Sequence, residues 1–272
     1  MAKFFIDPKN IDEKYIYLRE KNDLHHLVKV LRSRVGDEIE VSDGLAWEYA
    51  TVIDDIFEDE AVLKIVDKHN FATEPKTRVT LFQGVPKGQK MELIIQKTVE
   101  LGIDTITPVF MDRTVVEDHG KFDKKIERWQ KIADEAVKQC KRGMIPQITE
   151  KLTYKEMLGK LADFDLVLIP YEDEDGTTIK DVLRGFHKEQ CHSMYDYNSE
   201  HNCNSTHDCN SERREEPLHI AIIIGPEGGF TEKEVKAAVD NSAKSVTLGK
   251  TTLRTETAGI AALAMIMYEL EL

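Results

Sequence analysis

Three short segments in the C-terminal half carry the residue types from which a ligand site can be built. The first is Gly225-Pro226-Glu227-Gly228-Gly229-Phe230, directly after the apolar run LHIAIII. Glycines there let a ligand approach the backbone closely and leave amides free to bond it. The second is Leu248-Gly249-Lys250, followed by Leu253-Arg254-Thr255-Glu256-Thr257-Ala258 at the start of an apolar helix. The third, Leu168-Ile169-Pro170-Tyr171-Glu172, closes another apolar run. Taken singly, each reads as an ordinary turn between strand and helix, because Gly-Pro is turn punctuation and Thr-Glu is helix-capping chemistry. Taken together, with a permanent cation at Arg254 and a carboxylate at Glu256 on the rim, they predict one pocket. The glycine loop is not a Walker A phosphate cradle, since no Lys-Ser/Thr follows, and it does not match Gly-x-Gly-x-x-Gly.

Such loops need strands to hold them. From Arg78 onward the pattern alternates strand and helix. RVTLFQG precedes a helix with Met91, Ile94, Ile95 and Thr98 on one side, and TITPVF precedes a long helix over about 123–142. FDLVLIP and LHIAIIIG are continuous apolar runs, as in strands buried on both faces. Thr231 and Glu234 form a capping box, and KSVTLG is a further strand before the last helix. This alternation predicts an α/β domain with a mostly parallel sheet, where ligands bind outside the carboxyl ends of the strands.

Residues 1–72 read differently. Short strands such as VGDEIEVSDG and WEYATVIDDI alternate with turn signals, and one helix follows Asp23 as N-cap with Leu24, Leu27, Val28 and Leu31 on one face. That combination predicts a small β-barrel, joined by the linker FATEPKTR to a second domain over 73–272.

With 272 residues, 41% hydrophobic and 32% charged, the chain is too long for a disulfide-stapled mini-protein and too apolar for a disordered one. Its longest uncharged stretch near the C-terminus, residues 257–268, is too short to cross a bilayer, and MAKFFIDPKN has no apolar signal region, so a cytoplasmic protein is expected. A net charge of −13 argues against nucleic acid as a partner, although a basic patch on one face can coexist with an acidic remainder. Of the four cysteines, Cys140 stands alone while Cys191, Cys203 and Cys209 crowd one segment, which suits a reducing compartment better than a disulfide framework.

That segment contains three tandem hexapeptides, YDYNSE, HNCNST and HDCNSE, over residues 195–212. Their polar, turn-forming composition predicts a disordered insert spanning about 187–216. His187, His192, His201 and His207 beside three cysteines raise the alternative of a metal site. His-x-Cys twice at a six-residue period is not a common zinc spacing, so no metal is expected.

The stretches HHLVKVLR (25–32), PKGQKMELIIQKTVELGI (86–103), ERWQKIADEAVKQCKR (127–142), IIIGPEGGFTEKEV (222–235) and LGKTTLRTETA (248–258) resemble the RsmE family, 16S ribosomal RNA uracil-N3 methyltransferases of the SPOUT superfamily. The resemblance runs in order through essentially the whole chain except the insert. It implies a PUA-like RNA-binding barrel before a SPOUT domain whose trefoil knot breaks the rule against threaded loops. It also implies a homodimer acting on 16S rRNA in the 30S subunit, with S-adenosylmethionine held by the knot loops. Carried over by position, the cofactor residues are Leu168, Ile169, Pro170, Gly225, Glu227, Gly228, Leu248, Gly249 and Leu253. Lys250, Thr251 and Thr252 depart from the family's usual Arg-Ile-type pair before Leu-Arg.

The residues suit that chemistry. The N3–H of uracil is a weakly acidic imide proton; Arg254 can stabilise the charge that forms as it leaves, and Glu256 or Glu227 can accept it. Basic residues expected near the cleft are Arg32, Lys87, Lys97, Arg113 and Arg142, whereas Lys90 reads as a solvated surface lysine. Alternatives on the same fold are a methyltransferase for another rRNA or tRNA position and a non-catalytic ribosome assembly factor.

Overall fold

A computed structural model describes residues 3–45, 47–70, 74–118, 120–193 and 217–272. The hexapeptide repeat lies outside the described residues. The chain divides into two compact units, Met1–Glu74 with Asp134–Ile145, and Pro75–Ala133 with Pro146–Leu272.

The first unit is built on a five-stranded half-barrel. Its strands are β1 (Lys3–Phe5), β2 (Tyr15–Leu18), β3 (Glu38–Ser42), β4 (Trp47–Ile56) and β5 (Ala61–Asn70), in the order β1-β3-β4-β5-β2. The β1–β3 pair is parallel and the others antiparallel. Alternation along β4 turns Tyr49, Thr51 and Ile53 inward, where they join Phe4, Ile16, Leu18, Val41 and Leu63 in one buried core. Helix α1 (Lys21–His25) begins before the predicted cap Asp23 and continues as a π-helical turn, His26–Val30, that seals the core with Leu27. Asp23 is therefore inside the first turn, with its carboxylate 3.6 Å from Lys138 Nζ.

The second unit is a parallel sheet. Strands β6 (Arg78–Gly84), β7 (Thr105–Phe110), β8 (Gln147–Ile148), β9 (Leu152–Thr153), β10 (Leu166–Pro170), β11 (His219–Ile224) and β12 (Ala243–Val246) give the order β12-β10-β11-β6-β7-β8, with β9 also on β7. Every pairing among them is parallel. The apolar runs do what their composition dictates: β6, β10 and β11 are buried at nearly every position. Between the strands come α2 (Lys90–Glu100), α3 (Phe122–Cys140), α4 (Tyr154–Leu158), α5 (Ile179–Ser193), α6 (Glu232–Asp240) and α7 (Thr255–Glu271). Because β10, β11 and β12 are parallel neighbours, the three loops singled out in the sequence leave the same edge of the sheet. Among the described residues no helix is long and apolar enough to cross a membrane.

Candidate active site

The loops after β10, β11 and β12 enclose a cavity of about 430 Å³ together with the first turn of α7. Pro170, Tyr171 and Glu172 line one side, Gly225 through Phe230 the second, and Thr247 through Glu256 the third. Of the expected cofactor residues, Pro170, Gly225, Glu227, Gly228, Leu248, Gly249 and Leu253 face it. Leu168 and Ile169 do not: both are fully buried inside β10, where they pack the sheet core, and the wall begins at Pro170.

The Gly225–Phe230 wall is held by contacts on all sides. A Cβ on Gly84, the last residue of β6, would lie 2.5 Å from Pro226 N and 2.8 Å from Gly225 C, so the two backbones touch and only glycine fits. Thr255 is buried and donates its hydroxyl to Gly225 O at 2.6 Å while accepting from Gln83 Nε2 at 2.9 Å. The expected Thr-Glu cap is therefore replaced: Arg254 holds the N-cap position of α7, and Thr255 pins the helix to the glycine loop. At Gly228 a Cβ would meet Arg113 Cβ at 2.9 Å, and Arg113 Nη1 donates to Gly228 O at 2.7 Å. The tight packing at this glycine is thus against Arg113, which clamps the loop from outside. Behind it, the predicted capping box of α6 forms, and buried Glu234 also accepts from Asp112 N at 2.9 Å.

The charged side chains separate into roles. Glu227 Oε1 accepts from Lys90 Nζ at 2.8 Å and from Lys87 N at 2.9 Å. Burial lifts the Glu227 carboxyl, but the bond from Lys90 and those from the backbone outweigh it and hold it below the usual carboxylate range. Glu256 has its Oε2 buried without a hydrogen-bond partner, 4.0 Å from the same Lys90 ammonium. Lys90, read from sequence as a solvated lysine, is instead the cation shared by both carboxylates. Its helical position gave no signal, because only the fold brings residue 90 to residues 227 and 256. Arg254 is exposed on the cavity wall, and no ion-pair partner for it is found among the described residues.

The remaining expected basic contacts disperse. Lys97 pairs with Glu100 one turn along α2, and Lys87 contributes its backbone amide to the wall. Arg142 is buried and bonded to Glu74 through Nε and Nη2, so its charge neutralises a buried carboxylate and is withheld from a phosphate. Arg32 is exposed in the first unit at φ +56°, where it ends the π-helical turn. No group of three His, Cys, Asp or Glu side chains among the described residues could hold a metal ion.

The sequence matches the RNA methyltransferase domain family over residues 73–180 and 174–267, and the RNA methyltransferase PUA domain family over 18–66. Ribosomal RNA small subunit methyltransferase E of Bacillus subtilis is 30% identical, covering 100% of this chain and 98% of the relative. The chain belongs to the RsmE family. The same-named protein of Synechocystis is 29% identical over 99% of this chain and 78% of its own length. The crystal structure of the Neisseria gonorrhoeae RsmE bound to S-adenosyl methionine superposes with a TM-score of 0.73 at 27% identity, covering 98% of this chain and 97% of that one. An RsmE fold thus accounts for both units of the chain, and the half-barrel falls where the PUA match lies.

Proposed function

We propose that this chain methylates N3 of a uracil in small-subunit ribosomal RNA, with S-adenosylmethionine in the cavity at the ends of β10, β11 and β12. One observation carries the reading: Arg254 and Glu256, two residues apart at the start of α7, face a cavity whose opposite wall is the glycine-rich loop Gly225 through Phe230. The residues fit the cofactor. A volume of about 430 Å³ is in the range of small-ligand sites, and Glu172, Glu227 and Glu256 on its walls suit a cationic ligand.

When bound, S-adenosylmethionine supplies a methyl group whose leaving sulfur becomes neutral, so the protein has only to align the base and handle one proton. Arg254 stabilises the negative charge spread over the uracil as N3 loses its proton. Glu256 accepts that proton, because its carboxylate has no hydrogen-bond donor among the described residues, whereas Glu227 is already bonded by Lys90 and Lys87 N. Lys90 holds the two carboxylates apart in role.

The chain acts as a homodimer in the cytoplasm. Helix α7 is apolar nearly all round, yet Met265 and Tyr268 are exposed, which supports a second copy seated on that face. The test is transfer of labelled methyl from S-adenosylmethionine to 30S subunits from cells lacking the enzyme, with mass mapping of the nucleoside formed. Label in 3-methyluridine of small-subunit rRNA is expected; label elsewhere, or none, overturns the reading.

A further inference from the structure

Helix α3 carries a basic stripe along the exposed side of its first half. Lys124, Lys125, Arg128 and Lys131 follow one another at i, i+1, i+4 and i+7, and all four are exposed. Asp123 and Glu127 are exposed along its edge, Glu127 one turn before Lys131, and the buried face holds Phe122, Trp129 and Ala133. In this first half of the helix, basic residues outnumber acidic ones although the whole chain carries −13.

A helix whose charges serve only solvation does better with opposite charges three and four residues apart. Here Lys124 and Arg128, Lys125 and Arg128, and Arg128 and Lys131 are like-charged neighbours at those separations, while Glu127, at the same separations from Lys124 and Lys131, forms an ion pair with neither among the described residues. The three like-charged placements around Arg128 work against the isolated helix, and an external anion would offset them. Of the four basic residues, only Arg128 is in an ion pair among the described residues, with Glu92 Oε1 at 2.7 Å. Lys124, Lys125 and Lys131 have no ion-pair partner among the described residues. Lys125 Nζ stands 5.4 Å from the centre of the Phe122 ring, and Lys151 Nζ approaches the same ring from the loop before β9. The stripe is joined to α2, whose Glu92 holds Arg128 and whose Lys90 lines the cavity.

We infer that the Lys124–Lys125–Arg128–Lys131 stripe of α3 is a docking surface for the phosphate backbone of the RNA substrate. This rests on the methyltransferase reading and adds to it the place where RNA lies. From Lys124 to Lys131 the helix rises about 10 Å, enough to meet more than one phosphate of a single strand. Contacts of this kind position the substrate and carry no sequence information, so the stripe contributes to binding and leaves the chemical step alone.

The experiment uses the full chain with Lys124→Gln, Lys125→Gln and Lys131→Gln combined, leaving the paired Arg128 in place. Methylation of 30S subunits is measured across a salt series, and filter binding of protein-free small-subunit rRNA is measured beside it. The expected result is a KM raised roughly tenfold with kcat and S-adenosylhomocysteine affinity unchanged. The slope of log affinity against log salt should fall by about 2, at roughly 0.7 per lost phosphate contact. The control Asp123→Asn with Glu127→Gln should not reduce that slope. An unchanged KM and slope in the folded triple variant overturns the inference, as does a KM defect on 30S subunits with normal binding of bare rRNA, which would assign the stripe to a ribosomal protein. If the wild-type chain transfers no methyl at all, the enzymatic reading fails, while the binding series still decides the stripe.

Discussion

Two walls of one cavity differ in how they are held. The glycine loop after β11 is bonded at Gly225, Glu227 and Gly228 to three separate segments of the second unit. The loop after β12 is open: residues 249–252 are exposed, Gly249 adopts φ +132°, and an added Cβ there would meet nothing within 4 Å. Its side-chain bonds stay inside the loop, between Thr247 Oγ1 and Gly249. The braced wall is a finished surface before any ligand arrives. The open wall ends in Arg254 and is tied less to the strands around it, so among the described residues it is the less braced of the two.

The largest effect belongs to the end of the open wall. If Arg254 stabilises charge on the base, Arg254→Ala removes stabilisation that exists only in the transition state. Turnover should fall on the order of 10²-fold or more, while calorimetry shows S-adenosylhomocysteine affinity nearly unchanged. Arg254→Lys should recover little, because an ammonium lacks the planar fork. A wild-type single-turnover rate at saturating 30S subunits would instead make Arg254 a phosphate contact.

Next comes a glycine against a glycine. Gly84→Ala drives a methyl into the backbone of Gly225 and Pro226, so the whole braced wall must move. A loss of about 1–3 kcal/mol is expected by denaturant titration, with weaker S-adenosylhomocysteine binding although residue 84 is outside the cavity. Gly249→Ala meets only its own backbone preference, and an exposed loop can relax. Its stability loss should be smaller, and equal losses at both positions would break the distinction between the walls.

Arg113 sharpens the same contrast from the surface. Arg113→Ala removes one charge-assisted bond to Gly228 O and the packing against that glycine. A stability loss of about 1 kcal/mol is expected, and S-adenosylhomocysteine affinity should fall several-fold. Lys250→Ala, on the open wall, should leave the melting temperature unchanged.

The braced wall was also the more legible in sequence, though not its bracing. Continuous apolar runs identified β10 and β11, the strand–helix alternation identified β6, and turn chemistry located all three loops, because those signals are local. The Thr231 and Glu234 cap was equally readable. What sequence could not supply were long-range neighbours: Lys90 beside Glu227 and Glu256, Arg113 over Gly228, Gln83 on Thr255. Arg142 shows the converse, since an arginine at a helix end looks available until the fold places Glu74 against it. Asp23 was misplaced as a cap because the helix starts earlier and its second half is a π turn.

The smallest expected effect is electrostatic and tests whether the Lys90 bond to Glu227 braces its wall. The Glu227 carboxyl is held below its usual range, so the folded state binds fewer protons than the unfolded chain across the carboxylate range. Its contribution is therefore fully present above the unfolded carboxyl's pKa and is lost as pH falls through the lowered folded value. Because the side chain is only partly covered, the contribution is that of a surface pair, about 0.2–1 kcal/mol at neutral pH. Comparing urea midpoints of the wild type and Glu227→Gln from pH 7 downward should show a small gap that closes in the acid range. A gap that persists unchanged into acid would mean that the glutamate stabilises the loop by shape alone, and that Lys90 does not brace it through charge.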